Sequence, residues 1–496
     1  MKKKKIIIIG AGVGGLATAI RLLSKGHDVT IYEKNSTIGG RVNVLQKQGF
    51  SFDLTASILL LPEEFKEVFR WANKNYKNYV TFKQVDPLYR IHHHEDAPLN
   101  LYSDITKCSQ SLDSFSAADA KGYLRFLNDT YQKYTIANNH FLQKSYAHAS
   151  EFFNFYSLIN GLKLKPLSTS YSFISKYIRN KKLRDLLSFQ SLLLGISPFE
   201  GPNIYTILPC VSQLYGLWYL EGGMYSYIKA LEKLVNELGG IILLNSSVSE
   251  ILLSNQTVIG IRTESTIEKA DIVISNADFP YSIQHLIKDE NARGKYTDEK
   301  LNKMKYSCST FILYLGLNKK YPELGVHNLF MGDHFKESVE EAFTGYLPND
   351  PVLYMYCPSC IDESVAPANM ESLSITVRVP NLSFHRIKWD HKTIDTLRSQ
   401  ILNQISKIKG LGDIKEHIVF EDYLTPLDLF KRFNAYHGTA FGLSPTLTQS
   451  LYFRPSIKSP NVKNLYFVGS SVHPGAGISL VLLSSRLVAE EILKNI

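Results

Sequence analysis

Gly10, Gly12 and Gly15 stand in G-x-G-x-x-G spacing, and Glu33 follows 18 residues after the third glycine. Those residue types at that spacing suit a dinucleotide. Gly10 allows a tight turn, Gly12 lets the backbone approach a pyrophosphate, and Gly15 lets a helix lie close against a strand. Ala11, Val13 and Gly14 fill the same turn, where unpaired N–H groups and the positive end of a helix dipole favour phosphate. A carboxylate at Glu33 can accept from ribose hydroxyls. With no arginine directly after it, a ribose 2′-phosphate is disfavoured.

These residues need a strand, a turn, a helix and a second strand to hold them, and the flanking sequence supplies each. Residues 6–9 are four isoleucines, the pattern of a buried parallel strand. Residues 16–23 continue as a helix, Gly26 stops it, and residues 28–33 (DVTIYE) form the next strand. The basic start and apolar run also resemble a secretory leader, but no small-residue cleavage site ends the run. A glycine-rich turn without a ligand would need neither Glu33 nor the second strand.

After Glu33 come Lys34 and four more residues, then Gly39-Gly40-Arg41. This extension resembles the flavin-binding pattern of the glutathione reductase, amine oxidase and phytoene desaturase families. There the glycines let the chain cross the dinucleotide and the arginine faces pyrophosphate or flavin, so FAD is expected over NAD. The C-terminus adds a second strand–glycine–helix unit. Residues 464–471 (NLYFVGSS) read as a buried strand ending at Gly469 and Ser470. His473-Pro474-Gly475-Ala476-Gly477 follows, and a helix starts at Ile478. That run resembles the C-terminal signature of bacterial carotenoid desaturases, with Val472 where a threonine usually stands. His473 reads either as a base or as a turn residue packed beside the flavin.

Further stretches agree in order: residues 49–57, 221–225, 270–276 and 440–455. Together they resemble the bacterial phytoene desaturase family, and most closely its C30 branch, the dehydrosqualene (4,4′-diapophytoene) desaturases. The resemblance implies an α/β fold: a Rossmann-like FAD-binding domain of glutathione reductase/amine oxidase type, interleaved with a mixed α+β substrate domain. It places FAD on Gly10, Ala11, Gly12, Val13, Gly14, Gly15, Glu33, Lys34, Gly39, Gly40, Arg41, Val248, Gly469, Ser470, Gly477 and Ile478. It implies a long apolar polyene substrate, dehydrogenated stepwise, with a quinone or oxygen as final electron acceptor. Such a substrate offers no charge to grip, so positioning and water exclusion would be the protein's work, and no catalytic acid or base is assigned. One departure stands out: Thr55-Ala56 replaces the usual Gly-Pro, which bears on substrate or isomer choice.

The interleaving assigns residues 1–75, 226–290 and 420–496 to the flavin domain, and residues 76–225 and 291–419 to the substrate domain. Residues 240–276 fit as strand, β meander and strand. The chain has 496 residues, 44% hydrophobic and 20% charged, which excludes disordered, collagenous and coiled-coil classes. Five cysteines fit a reducing compartment, not a disulfide scaffold. The net charge of +9 suits an anionic surface; no nucleic-acid partner is expected.

Residues 186–220 carry one charge, Glu200, and follow a basic cluster of Lys176, Arg179, Lys181, Lys182 and Arg184. Pro198, Pro202, Pro209 and Gly216 interrupt the stretch, so a membrane span is rejected. Two readings remain: a peripheral, monotopic surface on the cytoplasmic face of an anionic membrane, or a buried core beside a solvated basic face. The first is the expectation. Cys357 and Cys360 form a C-x-x-C without a thioredoxin-like context or a second pair for zinc, and read as structural cysteines. His92-His93-His94 with Glu95 and Asp96 reads as a polar turn rather than a metal site. The alternatives are a carotenoid oxygenase or isomerase or an amine oxidase on the same scaffold, a C40 substrate, or a non-enzymatic prenyl-lipid chaperone.

Overall fold

The computed structural model describes residues 2–93, 97–146, 149–164 and 167–496. The four isoleucines of β1 (Lys5–Ile9) are buried, as a strand central in a parallel sheet requires. Helix α1 (Val13–Leu23) follows, then β2 (Asp28–Tyr32). Much later in the chain come β3 (Ile241–Leu243), β4 (Ile272–Ser275), β5 (Leu465–Phe467) and helix α2 (Ile478–Lys494). The strands form one parallel sheet in the order β5-β4-β1-β2-β3, so three separated parts of the chain build it. The run expected as a secretory leader in the weaker reading is the middle of this sheet. Between β3 and β4 an antiparallel meander runs through Val248–Ser254, Thr257–Thr263 and Ile267–Lys269, as the sequence suggested.

Glycine spacing sets the first turn. Gly10 has φ +97°, and a Cβ on Gly15 would lie 2.2 Å from the Gly10 carbonyl, so only glycine lets α1 lie this close to β1. Every residue of α1 is buried, including Arg21, which pairs with Glu67 and donates to Ser485 Oγ of α2 at 2.6 Å. The first and last helices are thereby joined.

A second, seven-stranded sheet runs in the order Ile418–Leu424, Ser309–Leu317, Glu371–Val379, Leu353–Tyr356, His327–Phe330, Tyr89–His92, Leu99–Leu101. Ser309–Leu317 is buried at every position because both faces are covered. Phe311, Leu313 and Leu315 pack on helix His391–Ile405, while Ile312 and Tyr314 pack on Phe50 and Phe52. The strand Ile418–Leu424 crosses the boundary drawn at 419/420 and belongs to this sheet. Helices between residues 105 and 215 form a cap beside it.

Residues 186–220 correct an expectation. They complete helix Lys181–Phe189, then form short turns, helix Ile207–Tyr215 and a strand Leu217–Leu220 that pairs with Phe82–Val85. Leu186, Leu187, Phe189, Leu192, Cys210 and Leu217 are buried, so most of this stretch is core; of its large apolar side chains, Leu214 and Tyr215 are the exposed ones. Pro198, Pro202 and Gly216 separate short elements, while Pro209 sits in the first turn of helix Ile207–Tyr215. Among the described residues, no helix is long and apolar enough to cross a membrane. His92 is buried and bonded to Asn328; His94, Glu95 and Asp96 lie outside the described residues.

Candidate active site

The carboxyl ends of the parallel strands and one face of the second sheet line a single cavity of about 1180 Å³. One small-molecule site typically takes about 300–1,000 Å³, so there is room for a large cofactor and a substrate together. Of the sixteen residues singled out in the sequence, fourteen line it: Gly10, Gly12, Val13, Gly14, Glu33, Lys34, Gly39, Gly40, Arg41, Val248, Gly469, Ser470, Gly477 and Ile478. Ala11 and Gly15 stand behind the wall. The Ala11 amide donates to Glu33 Oε2 at 2.9 Å, and the Gly15 amide to Asn276 Oδ1 at 2.9 Å.

Two helix N-termini open on this cavity. Gly12 caps α1 and Gly477 caps α2, neither with a side-chain cap; in α1 the Gly15 amide is taken by Asn276, and the amides of Val13 and Gly14 are left for a ligand. A Cβ on Gly477 would meet nothing within 4 Å, the open space a cofactor needs, while one on Gly12 would press on Asn276 Oδ1 at 2.8 Å. Glu33 is nearly fully buried. Its Oε1 accepts from the Asn35 amide and side chain at 2.9 Å, which fixes the carboxylate while leaving lone pairs for a ribose.

Arg41 is half-buried, and desolvation pulls its guanidinium below its usual range. It donates to the Ala440 carbonyl at 2.9 Å and to Ser470 Oγ, tying the Gly-Gly-Arg turn to the C-terminal segment. Lys34 reaches Asn434 Oδ1 at 2.8 Å.

Sequence reasoning missed three residues here. Asn276, just past β4, accepts from the Gly15 amide and donates to the Val468 carbonyl at 2.9 Å, locking the two strand–glycine–helix units together. Its place at the carboxyl end of a central parallel strand was the available signal. Arg454 is buried among carbonyls and donates to Val472, Gln449, Leu443 and Ser470, shaping the loop before α2. Burial lowers it to about 10. Arg378 lines the substrate side beneath Phe441, a lone cation in a β-branched strand.

His473 resolves in favour of the turn residue. It is absent from the cavity wall, its ring sits 5.3 Å from that of Tyr146, and burial lowers it to about 4. Carbonyls of Lys144, Leu451 and Leu142 face the ring, but none makes a well-formed hydrogen bond to either nitrogen.

Away from the glycines the cavity is apolar and aromatic, with Thr55, Ala56, Tyr134, Phe141, Leu193 and Leu208 in its wall. Thr55 Oγ1 donates to the Arg41 carbonyl at 2.7 Å, so the departure from Gly-Pro braces the flavin-side turn. At the other end the wall is helix Phe155–Lys163. Phe155, Leu158 and Leu162 line the cavity and also face water, at 79%, 61% and 68% exposure. Phe153, Leu447 and Phe453 extend the same apolar rim.

A glycine cradle at the head of a parallel sheet, opening into a long apolar cavity under a second sheet, defines an α/β dinucleotide-binding oxidoreductase. The chain belongs to the flavin-containing amine oxidoreductase family, whose profile matches residues 13–493. A flavin in dinucleotide form is FAD, which is the cofactor. The chain is 39% identical over 495 residues, 99% of both chains, to a protein of Staphylococcus haemolyticus (strain JCSC1435) named 4,4′-diapophytoene desaturase (4,4′-diaponeurosporene-forming). It is 38% identical over 497 residues, again 99% of both, to a protein of the same name from Staphylococcus aureus (strain MRSA252). Among solved structures, an oxidoreductase from Methanosarcina mazei superposes with a TM-score of 0.66 at 19% identity, covering 98% of this chain and 100% of that one. That likeness concerns the fold.

Proposed function

We propose that the chain is an FAD-dependent desaturase that dehydrogenates 4,4′-diapophytoene stepwise to 4,4′-diaponeurosporene. The carrying observation is the full-length identity of 38–39% to proteins named for that reaction. The cavity supports it: an apolar chain needs shape and apolar area, and the wall beyond the glycines supplies both.

In this reading the fourteen lining residues hold FAD, with Ala11 and Gly15 bracing Glu33 and Asn276 behind them; FAD supplies a two-electron acceptor when bound. The amides of α1 and α2 take its phosphates, Glu33 its ribose, and Arg41 with Asn276 keeps the two glycine turns in register. The apolar walls align the substrate's saturated carbons and exclude water. The developing cation is allylic and delocalised, so it needs little charge from the protein. The proton is lost to a weak base or water, and no histidine is assigned to it, because His473 lies outside the cavity. Reoxidation falls to a quinone or oxygen. The flavin and substrate domains follow the interleaved division given above, except that the whole strand Ile418–Leu424 stays with the substrate domain's sheet.

The protein meets its substrate at a membrane. The support is helix Phe155–Lys163, whose apolar side chains are at once cavity wall and exposed surface, so a lipid-dissolved polyene can enter without crossing water. This moves the membrane contact from residues 186–220 to residues 153–162, with Leu447 and Phe453 beside them. Co-expression with a C30 or a C40 synthase tests the substrate: conjugated pigment with the C30 partner supports the proposal, and pigment only with the C40 partner replaces it.

A further inference from the structure

We propose that Cys357, Cys360 and Glu371 form a structural site for a thiophilic divalent cation of the zinc type, at the end of the second sheet. Their sulfur and carboxylate atoms all lie within 4.8 Å of one another. Cys357 directly follows the strand Leu353–Tyr356, and the turn Pro358–Cys360 carries Cys360 back toward it. Glu371 opens the neighbouring strand Glu371–Val379, which runs antiparallel to the first. The sheet therefore delivers the third group that the C-x-x-C alone lacked. Tetrahedral zinc with Zn–S of about 2.3 Å holds its sulfurs about 3.8 Å apart, within reach of small side-chain adjustments here.

The independent observation is Glu371. It is 4% exposed; the carboxylate accepts from the Tyr321 backbone amide and the Cys357 thiol, and its Oε2 is buried with no hydrogen-bond partner of its own. The nearby Lys320 pairs with Glu363. One carboxylate oxygen is left without a donor in a buried position, and a cation shared with the two sulfurs would satisfy it. A disulfide between the cysteines would remove the thiol donors and leave the carboxylate worse off, whereas a metal uses all three groups. Cys360 is exposed and gives the ion an entry path, and Ser359 Oγ or water can complete the shell.

The role is structural because of what the loop between the ligands does. Asp362 on that loop accepts from Tyr219 Oη and from the Gly222 amide, both at 2.7 Å, and so holds the segment leading into helix Met224–Glu237. An ion pinning both ends of the loop would stiffen the strand that supplies Thr376 and Arg378 to the cavity.

The test is cobalt titration of chelator-treated, FAD-loaded protein. The site predicts a thiolate-to-cobalt charge-transfer band saturating at one ion per chain, displaced by one equivalent of Zn²⁺. Cys360→Ser, at an exposed position, keeps the fold and loses at least tenfold in affinity. Glu371→Gln weakens binding likewise, and Zn²⁺ raises the unfolding midpoint of the parent only. Absence of the band, or equal zinc affinity in Cys360→Ser, overturns the proposal. So does a Cys357–Cys360 disulfide in protein purified without reductant that persists in the presence of Zn²⁺.

Discussion

Replacing Leu158 and Leu162 together by aspartate should detach the protein from vesicles while leaving it folded. Both side chains are more than half exposed, at 61% and 68%, so neither contributes much to the core. Burying a whole leucine side chain is worth about 1.5–3 kcal/mol. About two-thirds of each side chain remains to be buried in lipid, so each contributes roughly 1–2 kcal/mol to binding. Losing both removes about 2–4 kcal/mol, a drop of roughly 30- to 1,000-fold in vesicle partitioning. The new carboxylates push the loss toward the upper figure. Co-sedimentation with neutral and anionic vesicles gives the partition coefficient, and thermal unfolding checks the fold. Because both side chains also line the cavity, partitioning and not turnover is the readout. Parent-like partitioning of a folded double variant would refute the assignment of this helix to the membrane surface.

Three further outcomes follow from the geometry. Gly12→Val should abolish FAD loading, since its side chain presses on Asn276 and fills the phosphate approach; bound flavin released on denaturation is the readout. Asp53 is buried, and desolvation raises its carboxyl from 3.8 to about 7, against hydrogen bonds from Met224 and Tyr356. The folded state therefore holds this proton longer than the unfolded chain, so stability is full below about pH 4 and falls as pH rises toward 7. At about 1.4 kcal/mol per pH unit, that loss is at most roughly 4 kcal/mol. Asp53→Asn should flatten that part of the pH dependence in denaturant titrations, and an unchanged slope would refute the assignment. His473 is held neutral, with burial lowering it to about 4, so His473→Gln should leave the shape of the rate profile between about pH 6 and pH 8 unchanged. Loss of an inflection in that range would restore it as a base.

The β1–α1–β2 unit was legible because its physics is local: a β-branched run, glycines that permit one turn, and a helix directly after. The C-terminal unit was readable for the same reason, although Leu465–Phe467 is shorter than the stretch suggested. Asn276 was not legible as a site residue, because its partners lie 192 and 261 positions away in sequence and only the sheet order brings them together; Arg454 bonds only to backbone carbonyls within 18 positions, which carry no side-chain signal. Residues 186–220 misled because low charge is common to core and membrane surface, and only tertiary packing separates them. Helix Phe155–Lys163, within a run that resembles the C30 branch, was not read as a membrane surface for the converse reason: its asparagine and glycine break the apolar run, yet its exposed side chains are the hydrophobic ones. Glu371 gave no signal, since nothing in its own neighbourhood announces two cysteines just past the end of the adjoining strand.

The central claim is tested most directly by incubating FAD-loaded protein with 4,4′-diapophytoene in vesicles, with a quinone as acceptor, and following the absorption and mass of the extracted products. The account predicts loss of two hydrogens at a time, with absorption moving stepwise to longer wavelength and accumulation of 4,4′-diaponeurosporene. Unchanged substrate beside an already conjugated C30 carotene that gains a terminal oxygen would contradict it.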